Sequence, residues 1–123
     1  MKYLCLAYEE ERKLNELSHD EWLALREETL AYVETLRKAG RLILTHALQS
    51  ARTAATVRVR DGERSVLDGP YAETKEQLGG FFLIEAEDLD DAVEVASSWP
   101  SARIGSIEVR PIEEELSEER RYR

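Results

Sequence analysis

Charged side chains stand at regular spacing on segments of this chain that are otherwise apolar. Arg58 and Arg60 alternate with Val57 and Val59, and Glu108 and Arg110 alternate with Ile107 and Val109. His46 has the parity of Leu42, Leu44 and Leu48. Between two apolar runs, a polar loop holds Asp68, Tyr71, Glu73 and Lys75. Alternate residues of a strand share one face. Arg58, Glu73, Lys75, Glu108 and Arg110 are therefore expected to converge on one cleft, with Asp68 at its edge and His46 at its floor. Arginine reads carboxylates through paired N–H donors, so the ligand class would be a small anionic molecule. Asp68 and His46 would be the catalytic proton-transfer groups, and Tyr71 a lid or a packing residue. The competing reading is a structural network in which these charges only pair with one another.

Other chemistries lack their residues. Two histidines and one cysteine, with no ligand pair at motif spacing, give no metal site. Gly79-Gly80 enters a strand rather than a helix, so it is no phosphate loop. No serine has nucleophile-elbow surroundings, and no cofactor is implied.

The elements that must position these groups follow from periodicity. Tyr3 to Tyr8 reads as a first strand, and Glu9 to Leu17 as a charged connection. Ser18 and Glu21 form a capping box for a helix with Trp22, Leu25, Thr29, Val33 and Leu36 on one stripe. Gly40 ends it. Arg41 to Leu48 is a second strand. Thr53 to Arg60 and Glu63 to Leu67 flank Asp61-Gly62, a hairpin turn signal. Asp68-Gly69-Pro70 is a turn in which the Asp68 carboxylate is expected to accept backbone N–H groups. Gly80 to Ala86 reads as a central strand. Asp88 caps a second helix with Leu89, Ala92, Val93, Ala96 and Trp99 on one face, and Ala102 to Ile112 is the last strand. The order β-α-β-β-β-α-β makes an α+β, ferredoxin-like sandwich. Residues 1–112 form the domain, and Glu113 to Arg123 a charged tail. Strands apolar at both parities leave a second sheet face uncovered, and a homodimer, sheet against sheet, is the economical way to cover it.

Composition bounds the rest. A chain of 123 residues is one domain. A net charge of -9 argues against direct nucleic-acid contact and against an anionic membrane surface. Cys5, alone in an apolar segment, reads as a buried inert thiol. With no disulfide possible within the chain, a cytoplasmic location fits. No apolar run approaches a membrane span.

The run Asp68-Gly69-Pro70-Tyr71-Ala72-Glu73-Thr74-Lys75-Glu76-Gln77-Leu78-Gly79-Gly80-Phe81 resembles the signature of the DGPF branch of the YCII-related family, with Tyr71 where phenylalanine is usual. Thr56-Val57-Arg58 and Gly105-Ser106-Ile107-Glu108-Val109-Arg110-Pro111-Ile112 resemble the family's third and closing strands. The resemblance implies a bacterial protein, a dimeric ferredoxin-like α/β barrel, and no settled activity. In enzymatic relatives a His-Asp pair is proposed as acid and base, the histidine lying on the first helix. That position is Thr29 here, and threonine cannot transfer protons near neutral pH. Some DGPF domains also resemble modules linked to extracytoplasmic-function sigma factors, which implies an interaction role in transcription initiation. A third alternative is that the loop only holds the dimer together.

Overall fold

In the computed structural model, which describes residues 1–122, four strands make an antiparallel sheet. They are β1 (Lys2–Glu9), β2 (Leu42–Ala47), β5 (Gln77–Glu85) and β6 (Ser106–Pro111), in the order β2-β5-β1-β6. A short helix α1 (Glu11–Asn15) follows β1, and the long helix α2 (His19–Lys38) leads to β2. Between β2 and β5 the strands β3 (Ala55–Arg60) and β4 (Glu63–Asp68) pair only with each other. Helix α3 (Leu89–Ser97) and a 3-10 turn (Pro100–Arg103) connect β5 to β6. The α+β class is as expected, and the fold is consistent with a ferredoxin-like sandwich.

Helix α2 starts and stops where its sequence says. The Ser18 hydroxyl accepts the Glu21 N–H at 3.1 Å, and the Glu21 carboxylate accepts the Ser18 N–H at 2.9 Å. At the other end Gly40 has φ +71°, a left-handed conformation that glycine adopts without penalty. The N–H groups of Gly40 and Arg41 then close on the carbonyls of Arg37 and Leu36. Asp88 caps α3 by accepting the Asp91 N–H at 2.8 Å.

The core lies between one face of the sheet and the helices. Tyr3, Cys5, Phe82 and Ile84 meet Val33 and Leu36 of α2, Ala92, Val95 and Ala96 of α3, and Trp99. The Phe82 and Trp99 rings stack with centroids 4.0 Å apart, and Tyr32 meets Trp99 edge-on. Burial pushes the Cys5 thiol up to about 12, so it is an inert core side chain.

Four expectations are corrected. The last strand, expected from Ala102, begins at Ser106 because Pro100–Arg103 wind into a 3-10 turn. The charged connection after β1 contains a helix, α1. The hairpin does not join the main sheet. Its turn, Asp61-Gly62 with φ +53° and +76°, closes β3 and β4 on each other as the sequence signals, leaving them a separate ribbon. Finally, β5 begins at Gln77 rather than Gly80, because Leu78 and Gln77 pair with Tyr8 and Glu9 beyond a bulge. Among the described residues, no helix is long and apolar enough to cross a membrane.

Candidate functional site

The principal cleft, about 750 Å³, opens where α1, the 3-10 turn Ala51–Thr53 and the Asp68-Gly69-Pro70 loop meet. Glu11, Arg52, Asp68 and Glu73 line it, with Arg12 and Gln77. A smaller chamber of about 310 Å³ adjoins it, lined by Glu9, Leu14, Leu48, Ser50 and Gly79; Glu11, Asn15 and Arg52 belong to both.

Glu11 is the hub. Its carboxylate accepts the Ser50 hydroxyl at 2.6 Å and the Ala51 N–H at 2.8 Å, while its own N–H donates to Gln77 Oε1 at 3.0 Å. One residue thus ties α1 to the 3-10 turn and to the start of β5. The Ser50 hydrogen bond first, then the Ala51 N–H, hold the Glu11 carboxyl below the usual carboxylate range. Glu9 shows the opposite behaviour. Burial first, then repulsion from Glu11, push its carboxyl up. Among the described residues the Glu9 side chain has no hydrogen-bond partner, and Arg52 has no ion-pair partner.

The loop is tied by its backbone. The Gly69 N–H donates to the Ala54 carbonyl at 2.7 Å, and the Thr56 hydroxyl donates to the Gly69 carbonyl at 3.0 Å. Gly69, at φ +105°, makes the turn possible. Gln77 Nε2 donates to the carbonyls of Thr74 and Lys75, closing the far end. The Asp68 carboxylate accepts no backbone N–H among the described residues, contrary to expectation. Asp68 is still the last residue of β4, paired with Ala55, so its side chain is set by the strand rather than folded back into the turn.

Of the residues singled out from sequence, Asp68 and Glu73 line the cleft; the others do not. Arg58 lies opposite Ser65 on β3, one residue out of phase with the Ala55–Asp68 pair, so it faces the other side of the ribbon. Glu108 and Arg110 pair with each other on β6, the sheet edge away from β2. Lys75 is exposed outside the cleft lining, and Tyr71 is 81% exposed, neither packed nor over the cleft. His46 lies opposite Phe81 on the outer sheet face, with ring centroids 5.9 Å apart. The Asp68–His46 pair is therefore not assembled at this cleft. Thr29 donates its hydroxyl to the Leu25 carbonyl within α2. The expected five-residue convergence fails because parity assigns a side chain to a face but not to an end of the sheet, and because the hairpin is a separate ribbon. Sequence reading missed Glu9, Glu11 and Arg52. The signal available was Glu9-Glu10-Glu11 directly after an apolar strand, where a strand end meets a turn.

Comparison with known proteins bears on family and fold. A family model described as the YCII-related domain matches residues 1–116. An uncharacterized protein of Rhizobium meliloti (strain 1021) is 39% identical over 114 residues, covering 91% of this chain and 92% of the relative. Among solved structures, the 5-chloro-2-hydroxyhydroquinone dehydrochlorinase of Burkholderia phenoliruptrix AC1100, in complex with 2,5-dihydroxybenzoquinone, aligns with a TM-score of 0.57. The match covers 92% of this chain and 94% of that one at 16% identity, a likeness of fold.

Proposed function

The chain belongs to the YCII-related family, and from that premise we propose that it is a homodimer that binds a small hydroxylated organic anion in the cleft beside the Asp68-Gly69-Pro70 loop. The observation that supports this most is Arg52. It is a permanent, solvent-exposed cation at the junction of two adjoining cavities; its charge helps to lower the Glu11 carboxyl, but no carboxylate lies within ion-pair distance of it among the described residues. Glu11, by contrast, is fully engaged with Ser50 and Ala51 and acts as scaffold. A ligand carboxylate or phenolate supplies the partner Arg52 lacks, and ligand hydroxyls suit the surrounding acceptors Asp68 and Glu73. The anion class expected from sequence is kept, but its reader moves from Arg58 and Arg110 to Arg52. The fold neighbour's complex holds a dihydroxylated quinone, which is a ligand of related chemistry.

The dimer rests on the sheet's outer face. Leu4, Leu6, Tyr8, Phe81 and Leu83 stay partly exposed there, and Leu44 is 44% exposed. On the hairpin, cross-strand pairing puts Val57, Val59 and Val66 on one side, all at least half exposed. A second copy offering the same surface covers both by a two-fold contact. Neither the fold nor the relatives found favours the sigma-factor reading.

Thermal-shift measurements with a panel of hydroxybenzoates and hydroxy acids test the cleft. Wild type and the Arg58→Ala and Arg110→Ala proteins should be stabilised alike, and Arg52→Ala should lose the effect. Equal stabilisation of Arg52→Ala, or none of wild type, overturns the reading.

A further inference from the structure

The small chamber holds a carboxyl group, that of Glu9, with no hydrogen-bond partner among the described residues. Strand β1 changes register against β5 after Ala7, which pairs with Gly80, while Tyr8 pairs with Leu78. Gly79 is thus the extra residue of a β-bulge, a device that re-aims the side chains beside it. The Glu9 carboxylate occupies the space over Gly79, and a Cβ built on that glycine would collide with Glu9 Oε1. Glycine at the bulge therefore seats the Glu9 carboxyl at the chamber wall. Around it stand Leu14 of α1, Leu48 after β2, and Ser50 and Arg52 at the 3-10 turn. The charged groups lining the chamber with Glu9 are Glu11 and Arg52; the remaining lining residues are uncharged.

The two carboxylates differ in what they can still do. Both Glu11 oxygens are occupied, one by the Ser50 hydroxyl and one by the Ala51 N–H. Glu9 has both oxygens unengaged among the described residues.

Resting on the reading that the cleft binds a hydroxylated anion, we propose that the small chamber is the reactive end of the site, where a ligand hydroxyl gives its proton to the Glu9 carboxylate and the resulting oxyanion is held by Arg52. The O–H bond of the ligand breaks and an O–H bond forms on Glu9; no electron pair leaves the site and no co-reactant is needed. Glu9 gains a neutral form, less costly for a half-buried side chain, and the negative charge moves to an oxygen facing a guanidinium. The upward shift of the Glu9 carboxyl is in the sense that favours this transfer. Leu14 and Leu48 give that end of the site its apolar wall.

The probe is 4-nitrophenol, whose ionised form absorbs visible light. It is mixed with the full-length protein about one pH unit below its own midpoint, where roughly a tenth of the free probe is ionised. Binding is followed separately by amide chemical-shift changes. In wild type, binding should bring up the phenolate band to several times its free level. Glu9→Gln should bind the probe, shown by the same shifts, without that rise. If wild type binds the probe with no added phenolate, or if Glu9→Gln ionises it as well as wild type does, Glu9 is not the proton acceptor and the inference falls alone. If wild type shows no binding, the inference falls together with the cleft reading. An NMR titration of the side-chain carboxyls adds a readout independent of ligand: Glu9 should titrate above Glu11, and the reverse order overturns the assignment.

Discussion

The two faces of the sheet are nearly equal in apolar content and opposite in fate. Tyr3, Cys5, Phe82 and Ile84 lie under the helices at no more than 2% exposure. One residue along the same strands, Leu4, Leu6, Phe81 and Leu83 remain partly open. The strand pattern alone does not distinguish these sets, since both read as every second residue of an apolar run. The difference comes from the helices. Val33 and Leu36 of α2 and Ala92, Val95 and Ala96 of α3 are enough to cover one face and no more. A domain with two helical stripes and a two-sided sheet is thus left with one face covered by its own helices and one face apolar and partly open. The far end of β1 shows a third outcome. Past the bulge, the strand stops feeding the core and presents Glu9 to a cavity.

The sharpest way to break the comparison is to truncate one ring from each face. Phe82, fully buried and stacked on Trp99, should cost about 3–5 kcal/mol on Phe82→Ala, whatever the protein concentration. Urea unfolding at two concentrations tenfold apart checks this. A loss below about 1 kcal/mol would mean that the helix-covered face is not the dominant core.

The outer face should respond in association rather than in folding. Leu6→Glu puts a charge into the middle of the expected contact, where it would be desolvated without a partner. The mass of wild type by light scattering at micromolar concentration should be twice that of the chain. The variant should weaken the dimer by about 100-fold, or roughly 2.7 kcal/mol, and run as a folded monomer. A wild-type monomer under these conditions, or an unaltered dimer in Leu6→Glu, removes the distinction drawn between the faces.

The parts of this molecule legible in sequence are those decided locally. The Ser18–Glu21 box, the Gly40 stop, the Asp88 cap and the Asp61-Gly62 turn each rest on residues a few positions apart, and all four stand as read. Helix α1 was not legible because five charged-rich residues form no apolar stripe, and so short a helix is unstable alone. It is held by the contact of the Glu11 N–H with Gln77, sixty-six positions away. The candidate site was half legible for the same reason. The loop with Asp68 and Glu73 announced itself by composition. Glu9, Glu11 and Arg52 come together only when β1, the turn after β2 and the start of β5 are brought together, and no local pattern records that meeting.

The smallest expected effect concerns Glu9 and Glu11, and its sign separates them. Glu11 has a lowered pKa in the fold, so it contributes stability that is present above the ordinary glutamate range and lost as pH falls toward its folded value. Glu9 has a raised pKa, so its ionised form opposes folding. That cost is absent in acid and appears as pH rises from the ordinary glutamate value through the folded one. Glu11→Gln should therefore be less stable than wild type at neutral pH, with the gap closing on acidification. Glu9→Gln should be slightly more stable than wild type at neutral pH and equal to it in acid, because the amide resembles the protonated carboxyl in size and carries no charge. Urea midpoints measured from about pH 3 to about pH 7 on the three proteins decide the matter. Glutamine at position 9 that destabilises at neutral pH would show that the Glu9 carboxylate is an engaged structural anion like Glu11. A stabilising Gln at position 9 would mean that the chain tolerates a charge its fold does not want, at the end of β1 where the strand has left the core.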